Sequence, residues 1–542
     1  MKTLFRNGKI YVEKGVYAQA VLVEDGWIRA VGTEEEVLAA AGSGFDGEMI
    51  DCEGRTVIPG LNDSHLHLML LGLQLSQVQI VGVKSIDHLV QVCREFMEQY
   101  PERVTGGMAS MGWNQDLFTE GEKRLPNRHD LDRISTEIPI VLDRICAHMV
   151  VTNTKAIEML GLTADSPEIP GGEIRREEDG YPSGIFTENA TSLAKSVIPE
   201  ASFEMKKEAL RQASAYAASL GLTSVQSNDI GASWCGDTGF DLFREVYDAG
   251  EASVRYHHQV TFGSPEEFEE YLTAGEFTRE GYARDSMLTL GPLKMFKDGS
   301  LGARTALVEQ GYVGDRDNHG VNCITKEEMD RFCQLAQKHG VQVVTHAIGD
   351  RAASEVIDCY EKAFVDGENK LRHSIVHCQI TDQPLLDRIV EKDILVQAQP
   401  VFIGYDMTIL EPLCGPELAE TSYNFGSLLK RGVHLSYGTD CPVESCNPFP
   451  NLYMAVTRKG MDGKPEGGFY PEQCVDVETA VDAYTYGSAY NEFKEDIKGR
   501  IKPGYLADLV VLDRDIFTCD PMEIKDILPV MTMVDGKMVY RR

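Results

Sequence analysis

The stretch VIPGLNDSHLHL at residues 57–68 decides the fold and the chemistry to expect of this sequence. Its apolar residues predict a strand, and the strand ends in Asp63, His65 and His67. Because residues i and i+2 of a strand point to the same side, both imidazoles could bind one metal ion. The H-x-H pair alone is a weak signal, since two surface or core histidines would give the same pattern.

Three further predicted strands end in side chains that can bind a metal ion. VVTHAIGD places His346 at the end of its strand, HSIVHCQI places His377 there, and HLSYGTDCPV places Asp440 there. A packed core histidine or a helix N-cap explains any one of these residues, but hardly the whole set at strand ends. Active sites of α/β barrels are built at the carboxyl ends of the strands, so we expect a metal site there.

One more strand, TLGPLKMFKDGSLGART at residues 289–305, carries Lys294 and Lys297 close to its end. A lysine inside an apolar strand is costly to bury as a cation. Burial becomes tolerable if the amine is neutral, or if it is carboxylated and the product bridges two metal ions. From the residues alone, a lysine that extends its amine to solvent at the barrel mouth is the favoured interpretation.

The middle of the chain alternates helices and short strands. The capping-box sequence TKEE at residues 325–328 predicts a helix that Gly340 ends, and VQVVTH at residues 341–346 predicts a buried parallel strand. AYAASLGLTSVQS at 215–227 and LLKRGVHLSYGTD at 428–440 repeat this unit. The repeats predict a parallel α/β domain, and its length favours a TIM-like barrel with insertions over a doubly wound sheet.

Both ends of the chain are rich in short predicted strands. At the N-terminus Gly and Asp separate the strands, and Asp25-Gly26 is the strongest turn signal. LADLVVLDRD and VMTMVDGKMVYR repeat this style near the C-terminus. We therefore expect residues 1–58 and 496–542 to pair into one small β-sandwich, and residues 59–495 to form the barrel domain.

Residues 100–190 interrupt the alternation of helices and strands. Gly, Pro and charged residues are frequent in this segment, for example in TEGEKRLPNRHDLDR and SPEIPGGEIRREEDGYPSG. We expect an inserted cap segment that covers one end of the barrel. A run of ordinary long surface loops is the alternative interpretation.

The charge of the chain excludes several kinds of partner. The 542 residues include 52 basic and 85 acidic ones, which gives a net charge of −33. Nucleic-acid binding requires a basic face, and an anionic membrane surface offers such a chain no attraction. No run of about 18 apolar residues predicts a membrane helix. We expect a small-molecule substrate, no nucleic acid and no membrane as partner, and we leave a homodimer open.

The cysteines and the N-terminus indicate a cytoplasmic location. The N-terminus lacks the apolar region of a secretory signal, and the 13 Cys include no C-x-x-C pair. We expect reduced thiols, with a redox role for Cys441 and Cys446 as a minor alternative. Motifs of other enzyme classes are absent: there is no P-loop, no H-E-x-x-H, no dinucleotide-binding G-x-G-x-x-G after a strand, and no G-x-S-x-G elbow.

Over nearly its whole length the sequence resembles the amidohydrolase superfamily, and within it amidohydrolase family 3, the group that contains the N-substituted formamide deformylases. The resemblance implies a metal-bearing (β/α)-barrel with a β-sandwich built from both chain ends, as the residue patterns also predict. The matching segments are NGKIYV, VIPGLNDSHLH, MGW…LDRISTEIPIVL…AH…TN, KMFKDGSLGART, THAIGD, VHCQI, SYGTDCPV and GRIKPGYLADLVVLD.

The same resemblance implies a cofactor and its ligands. The K-x-F-x-D-G pattern places Lys294, not Lys297, at the carboxylated-lysine position. The implied cofactor is a divalent metal, zinc by first expectation, at one or two ions per chain, although sequence does not fix the metal. The implied ligands are His65 and His67 of the first strand, Lys294, His346 and His377 of the fifth and sixth strands, and Asp440 of the eighth.

The implied activity is hydrolysis of a C–N (amide-type) bond other than a peptide bond by metal-activated water, with an N-substituted formamide as one candidate substrate. Asp440 would act as general base and then as general acid. His148 matches a family histidine expected near the substrate, and Trp113 and Glu188 match similar positions less securely. Alternatives are hydrolysis of a cyclic amide, carbamate or lactone, deamination of a ring, and a non-catalytic scaffold, which the presence of all six candidate ligands disfavours.

Overall fold

The computed structural model describes residues 2–145, 148–167, 169, 171–232, 238–274 and 285–542. It divides into two compact units, each described by itself below. The first unit comprises Met1–Leu70 and Ala213–Arg542, and the second comprises Leu71–Gln212. The segment 100–190, predicted as an insertion, falls inside the second unit.

The strands occur throughout both units and are numbered along the chain. They are β1 (Lys2–Arg6), β2 (Lys9–Glu13), β3 (Val16–Ala18), β4 (Ala20–Glu24), β5 (Trp27–Gly32), β6 (Glu48–Asp51), β7 (Thr56–Pro59), β8 (Leu61–Leu66), β9 (Met108–Trp113), β10 (Ile140–Arg144), β11 (Met149–Thr152), β12 (Gly172–Arg176), β13 (Pro182–Glu188), β14 (Leu222–Ser227), β15 (Arg255–Val260), β16 (Leu288–Phe296), β17 (Val343–Ala347), β18 (Ser374–His377), β19 (Leu395–Ala398), β20 (Leu435–Tyr437), β21 (Leu509–Leu512), β22 (Pro529–Val534) and β23 (Lys537–Arg541).

The α-helices are numbered in the same way. They are α1 (Glu34–Ala41), α2 (Leu68–Leu75), α3 (Ile86–Gln99), α4 (Arg128–Asp132), α5 (Thr154–Met159), α6 (Ala190–Lys195), α7 (Phe203–Ser219), α8 (Phe240–Asp248), α9 (Pro265–Thr273), α10 (Lys326–Lys338), α11 (Asp350–Ala363), α12 (Gln383–Glu391), α13 (Ile403–Asp406), α14 (Leu410–Cys414), α15 (Pro416–Thr421), α16 (Phe425–Lys430), α17 (Pro448–Thr457), α18 (Val477–Asp482) and α19 (Ser488–Asn491). None of the helices within the described ranges is both long and apolar enough to cross a membrane.

The core of the first unit is an eight-stranded parallel sheet in the order β20-β19-β18-β17-β16-β15-β14-β8. The sheet curves into a nearly closed barrel. Backbone bonds join its first and last strands, because the N–H of Asp440 donates to the carbonyl of His65 (2.8 Å) and the N–H of His67 donates to that of Cys441 (2.7 Å). The predicted TIM-like barrel is confirmed, and it brings the carboxyl ends of β8 and β20 together.

One repeating unit of the barrel shows why the sequence folds this way. The hydroxyl of Thr325 accepts a hydrogen bond from the N–H of Glu328 and caps α10. The helix buries Met329, Phe332, Cys333 and Ala336. Gly340 follows the helix at a φ of 68°, a conformation that favours glycine, and the chain enters the buried strand β17.

The two chain ends form mixed sheets, as the sequence predicts. One sheet has the order β5-β4-β1-β6 and the other β23-β22-β21-β7-β2-β3. N-terminal and C-terminal residues pair directly in the second sheet, where β7 runs antiparallel to β21. Their apolar core includes Phe5, Ile10, Val57, Leu509 and Val511, all buried.

The second unit contains its own five-stranded sheet in the order β12-β13-β11-β10-β9. Two apolar clusters cover it. The larger cluster includes Trp113, Phe118, Leu131 and Leu142, and the smaller one includes Phe186 on β13. This unit therefore has a core of its own and is more than a run of surface loops.

Candidate metal centre

Three predicted ligands meet where the barrel closes. His65 lies in β8, His67 follows that strand directly, and Asp440 lies three residues after β20. Ligand atoms of these three buried residues all lie within 4.8 Å of one another. The Nε2 atoms of His65 and His67 lie 3.4 Å and 3.1 Å from Asp440 Oδ1. This is the spacing at which two imidazoles and a carboxylate can share one ion.

Asp63 holds this group together without belonging to it. Its Oδ1 accepts hydrogen bonds from the backbone N–H groups of His65 and Thr439, both at 3.1 Å. Its Oδ2 accepts one from the hydroxyl of Thr439 at 2.6 Å. Asp63 therefore ties the end of β8 to the loop that carries Asp440. The sequence groups Asp63 with the two histidines, but the structure gives it a positioning role.

His346 and His377 extend the group along the neighbouring strands. The ring centres of His65 and His377 are 5.6 Å apart, and those of His377 and His346 are 4.5 Å apart. His377 and Asp440 both have left-handed backbones, with φ of 76° and 58°. Such conformations cost free energy in non-glycine residues and are concentrated at functional sites.

Lys294 and Lys297 lie on β16 and just after it, and both are fully buried. The Nζ of Lys297 bonds Asn322 Oδ1 (2.8 Å) and Ile324 O (3.1 Å) and pairs with Glu355 Oε2 (2.8 Å). The Nζ of Lys294 lies 3.8 Å from the centre of the Phe296 ring and forms no hydrogen bond with any described residue. An amine that reaches solvent, the interpretation favoured by residue chemistry alone, is therefore wrong for Lys294.

The protonation of the group follows from its burial. Burial lowers the pKa of Lys294 to about 7. Burial, and next the nearby Lys294, lower the pKa of His65 to about 4, and the same two causes lower that of His346 to about 3. Burial alone would raise the pKa of Asp440, but the close approach of His65 and His67 outweighs it and holds the pKa well below its usual range. His65 and His346 are thus neutral beside an ionised carboxylate. Burial would lower the pKa of His67, but Asp440 outweighs it and raises that pKa.

Three of the histidines have one ring nitrogen held by a carbonyl or glutamine oxygen. Nδ1 of His65 bonds the side-chain oxygen of Gln259 (2.8 Å), and Nδ1 of His67 bonds the carbonyl of Asn228 (2.7 Å). In both residues Nε2 faces Asp440 Oδ1, at 3.4 Å and 3.1 Å. His346 is reversed, because its Nε2 bonds the carbonyl of Gly299 (3.0 Å) and leaves Nδ1. Metal-binding histidines usually have one nitrogen held in this way.

The donor set fits a divalent cation on the chemistry of the residues alone. Four imidazoles and one carboxylate are ligands that zinc accepts, and the buried amine of Lys294 has no hydrogen bond among the described residues to account for its position. Sequence reasoning missed the glutamines behind the histidines. The available signal was a polar residue inside the buried strands RYHHQV and LVQA.

The predicted substrate-binding residues belong to the second unit. His148 and Glu188 are exposed and form a pair, with Nδ1 and Oε2 3.0 Å apart. Trp113 lies in the apolar core of the unit, and its indole N–H donates to the carbonyl of Leu142 (2.9 Å). The structure therefore joins His148 with Glu188 and does not join Trp113 with them. Their contact with a substrate stays a prediction.

A parallel barrel with histidines and an aspartate buried at the carboxyl ends of its strands is the architecture of a metal-dependent barrel hydrolase. Comparison with known proteins gives the family: residues 48–540 match the sequence profile of the amidohydrolase family, and the chain belongs to it.

Two curated relatives and one solved structure illustrate the family match. The chain is 30% identical to "Putative amidohydrolase YtcJ" of Bacillus subtilis (strain 168) over 100% of both chains. It is 27% identical to the N-substituted formamide deformylase of Arthrobacter pascens, over 97% of this chain and 95% of that protein. The crystal structure of an uncharacterized metal-dependent hydrolase from Pyrococcus furiosus is similar at a TM-score of 0.77 and 28% identity, covering 96% of this chain and 100% of that one.

Proposed function

We propose that this amidohydrolase hydrolyses an amide-type C–N bond other than a peptide bond, and that N-substituted formamides are the substrate class to test first. The observation that carries the proposal is the buried group in which imidazole nitrogens of His65 and His67 face Asp440, with the Lys294 amine buried and without a hydrogen bond to any described residue. The substrate class is supported by the relative from Arthrobacter pascens, whose name states that activity.

The residues that would hold the metal are His65, His67, His346, His377, Asp440 and a carboxylated Lys294. Zinc is the metal we propose, at one or two ions per chain. When bound, such a cation lowers the pKa of water from 15.7 to about 7 and polarises a carbonyl oxygen. A buried, apolar surrounding strengthens both effects, because electrostatic interactions are stronger where water is excluded.

Lys294 is suited to carboxylation because its pKa of about 7 leaves a large fraction of neutral amine at neutral pH. In that step the Nζ lone pair attacks the carbon of CO₂, one C=O π bond opens onto its oxygen as the N–C bond forms, and one Nζ proton passes to water. The product is an anionic carbamate with two oxygens, which removes the mismatch of a cation buried without a partner.

Asp440 is the group placed to move the proton. Its Oδ1 is engaged with the two imidazoles of β8, so Oδ2 is the oxygen that would accept a proton from the attacking water. The low pKa of its carboxyl keeps it ionised at neutral pH. Return of that proton to the departing nitrogen makes the amine a neutral leaving group.

We also propose that His148 and Glu188 contact the substrate. Both are exposed, at 72% and 59% of the side chain, and the pair offers a donor and a carboxylate to a polar substrate group. Trp113 would act indirectly by supporting β9 and β10, because its indole is buried and bonded.

The test begins with the full-length protein stripped of metal and reloaded with zinc. We expect bound zinc and hydrolysis of an N-substituted formamide to formate and a primary amine. A double variant, His65→Asn with His67→Asn, should lose both metal and activity, while His339→Asn at the exposed end of α10 should keep both. Turnover of cyclic amides, carbamates or lactones instead would change the substrate class. Full metal binding with no hydrolysis of any of these substrates would indicate a non-catalytic scaffold.

A further inference from the structure

Three glutamines lie inside the barrel behind the metal-binding histidines. Gln259 lies on β15, Gln397 lies on β19, and Gln399 follows β19. Each is no more than 1% exposed. A buried carboxamide must find partners for its oxygen and its two N–H donors, so the bonds of these three side chains show what each of them holds.

Gln259 acts on His65. Its Nε2 donates to the carbonyl of Ser64 (3.1 Å) and to Gln397 Oε1 (3.2 Å). Both of these partners are acceptors, which fixes the orientation of the amide. Its Oε1 therefore faces Nδ1 of His65 at 2.8 Å. An oxygen without a proton only accepts, so Nδ1 must carry the hydrogen and Nε2 must carry the lone pair.

Gln399 acts on His377 in the same way. Its Nε2 donates to the backbone carbonyl of Gln397 (3.1 Å), so its Oε1 is the atom that lies 2.8 Å from Nδ1 of His377. The same logic leaves the lone pair of His377 on Nε2. Two histidines on separate strands are thus held in one tautomer by two separate carboxamides.

Gln397 links these hydrogen bonds to helix α19. Its Nε2 donates to Ser374 Oγ (2.8 Å) and to Asn491 Oδ1 (3.4 Å). Both acceptors hold the amide so that its Oε1 faces Gln259. The chain of bonds therefore runs from Asn491 of α19, through Gln397 and Gln259, to His65.

We propose that Gln259 and Gln399 are positioning residues that hold His65 and His377 as Nδ1–H tautomers, with Nε2 free for the metal ion. The inference rests on the proposed metal centre and adds the groups that prepare it. A carboxamide fixes the ring without adding a charge to an interior that already contains the Asp440 carboxylate. Partners of this kind typically change metal affinity 10–100-fold when removed.

The test measures zinc affinity by competition with a chelator and compares it with the melting temperature of the metal-free protein. Gln259→Met removes the acceptor at similar size and should weaken zinc binding about 10–100-fold. Gln259→Glu keeps an acceptor oxygen and should bind zinc within about threefold of wild type. Gln399→Met, on a different strand, should repeat the loss and provides an independent measurement if Gln259→Met does not fold.

Gln473→Met is the matched control, because Gln473 is also buried but bonds Ser427, whose backbone N–H donates to its Oε1 (2.8 Å) and whose Oγ accepts from its Nε2 (2.8 Å). It should lower the melting temperature without changing zinc affinity. Zinc affinity unchanged in both Gln259→Met and Gln399→Met, a loss in Gln259→Glu equal to that in Gln259→Met, or an equal loss in Gln473→Met would overturn the inference. Absence of zinc binding by the wild-type protein would instead contradict the proposed metal centre.

Discussion

The barrel buries charged groups at both of its ends, and the two ends differ in how these groups are paired. At the amino ends of the strands, Glu492 Oε1 lies 2.6 Å from Lys498 Nζ, and its Oε2 lies 3.6 Å from Lys494 Nζ. Arg255, the first residue of β15, pairs there with Asp508 at 2.8 Å. At the carboxyl ends, the amine of Lys294 has no hydrogen bond within the described residues.

The pKa values show the consequence of this difference. Burial raises the pKa of Glu492, yet Lys498 and Lys494 outweigh it and lower the value to about 2. The pKa of Lys294 falls to about 7, because burial is offset only by the attraction of Asp440. A buried charge that is paired can hold a fold together, whereas an unpaired one costs free energy and points to a functional site.

The strongest test of the comparison is Lys294→Met. Loss of the proposed bridging ligand should lower kcat by more than about 10³-fold, beyond the 10²–10³ that one preorganised donor contributes. The melting temperature should stay equal or rise, because an amine buried without a partner is removed. Steady-state kinetics and thermal unfolding measure the two effects, and short carboxylates should partly restore the activity of Lys294→Ala.

Lys297→Met is the control for this variant, three residues along the same segment. It leaves Glu355 without its lysine and should lower the melting temperature, while kcat of the folded protein changes little. If Lys294→Met unfolded the protein and Lys297→Met lost only activity, the two lysines would have the opposite roles.

Asp440→Asn tests whether the carboxyl end uses the Asp440 carboxylate for chemistry. The change keeps the size of the side chain and removes its basic oxygen. General acid–base catalysis contributes about 10²–10⁴-fold, so kcat for amides should fall by that factor or more. Activated esters should suffer less, because their leaving groups depart without a proton. Amide hydrolysis within about threefold of wild type would exclude Asp440 as the proton carrier.

The fold and the convergence of the candidate ligands could be predicted from the sequence, because both follow local patterns. The alternation of helix and strand gives the barrel, and side chains placed at strand ends converge there whichever loops connect them. His65, His346 and Asp440 are residues of this kind. Lys294 required the resemblance to a family, because residue chemistry alone does not distinguish a buried amine from one that reaches solvent.

The glutamines and Asp63 could not be predicted, for a different reason. A glutamine inside a strand has no motif, and its partner depends on the curvature that brings β15 and β19 to the same side of the interior. Gln259 meets His65 across 194 positions of sequence. The sequence places Asp63 beside the two histidines, and only the position of Thr439 in space shows that Asp63 joins the end of β8 to the loop of Asp440.

Glu492→Gln tests the paired end. It leaves Lys498 and Lys494 buried without a carboxylate, and removal of one partner of a buried pair typically costs about 3–5 kcal/mol. We expect a loss of that size in the free energy of unfolding, measured with denaturant, and a nearly unchanged kcat in the folded protein. Glu391→Gln, in an exposed pair with Lys392, should cost less than about 1 kcal/mol. Equal losses in both variants would contradict the importance of the buried pair.

The lowered pKa of Glu492 predicts how the free energy of unfolding depends on pH. The pKa of Glu492 is lowered in the folded protein from 4.5 to about 2, so its contribution is fully present above the unfolded value. It is lost as pH falls through the interval between the two values, because the unfolded chain binds the proton more readily. The slope of unfolding free energy against pH should therefore be reduced in Glu492→Gln between pH 4.5 and about 2. An unchanged slope would assign the acid sensitivity to other groups.

Two glycines test the comparison between the carboxyl and amino ends of the barrel, because an added Cβ would overlap neighbouring atoms at both. A Cβ at Gly438 would lie 2.6 Å from the backbone nitrogen of His65 and 2.8 Å from Asp63 Oδ1. A Cβ at Gly487, just before α19, would lie 2.4 Å from the carbonyl oxygen of Leu435, the first residue of β20. Overpacking of this kind typically costs about 1–3 kcal/mol. Gly438→Ala and Gly487→Ala should therefore destabilise the metal-free protein by similar amounts.

Their effects on metal binding should differ. Gly438→Ala must displace β8 or break the hydrogen bonds between Asp63 and Thr439, both of which position His65. It should therefore weaken zinc binding and lower the free energy of unfolding. Gly487→Ala displaces the first residue of β20, at the amino end of the barrel, and should leave zinc affinity within about twofold of wild type, less than the 10-fold lower bound for a lost ligand support. Gly239→Ala, where a Cβ meets no atom of the described residues within 4 Å, should change neither property. If Gly438→Ala and Gly487→Ala weakened zinc binding equally, the loss would be a general effect of destabilising the barrel, and the distinction between its two ends would not hold.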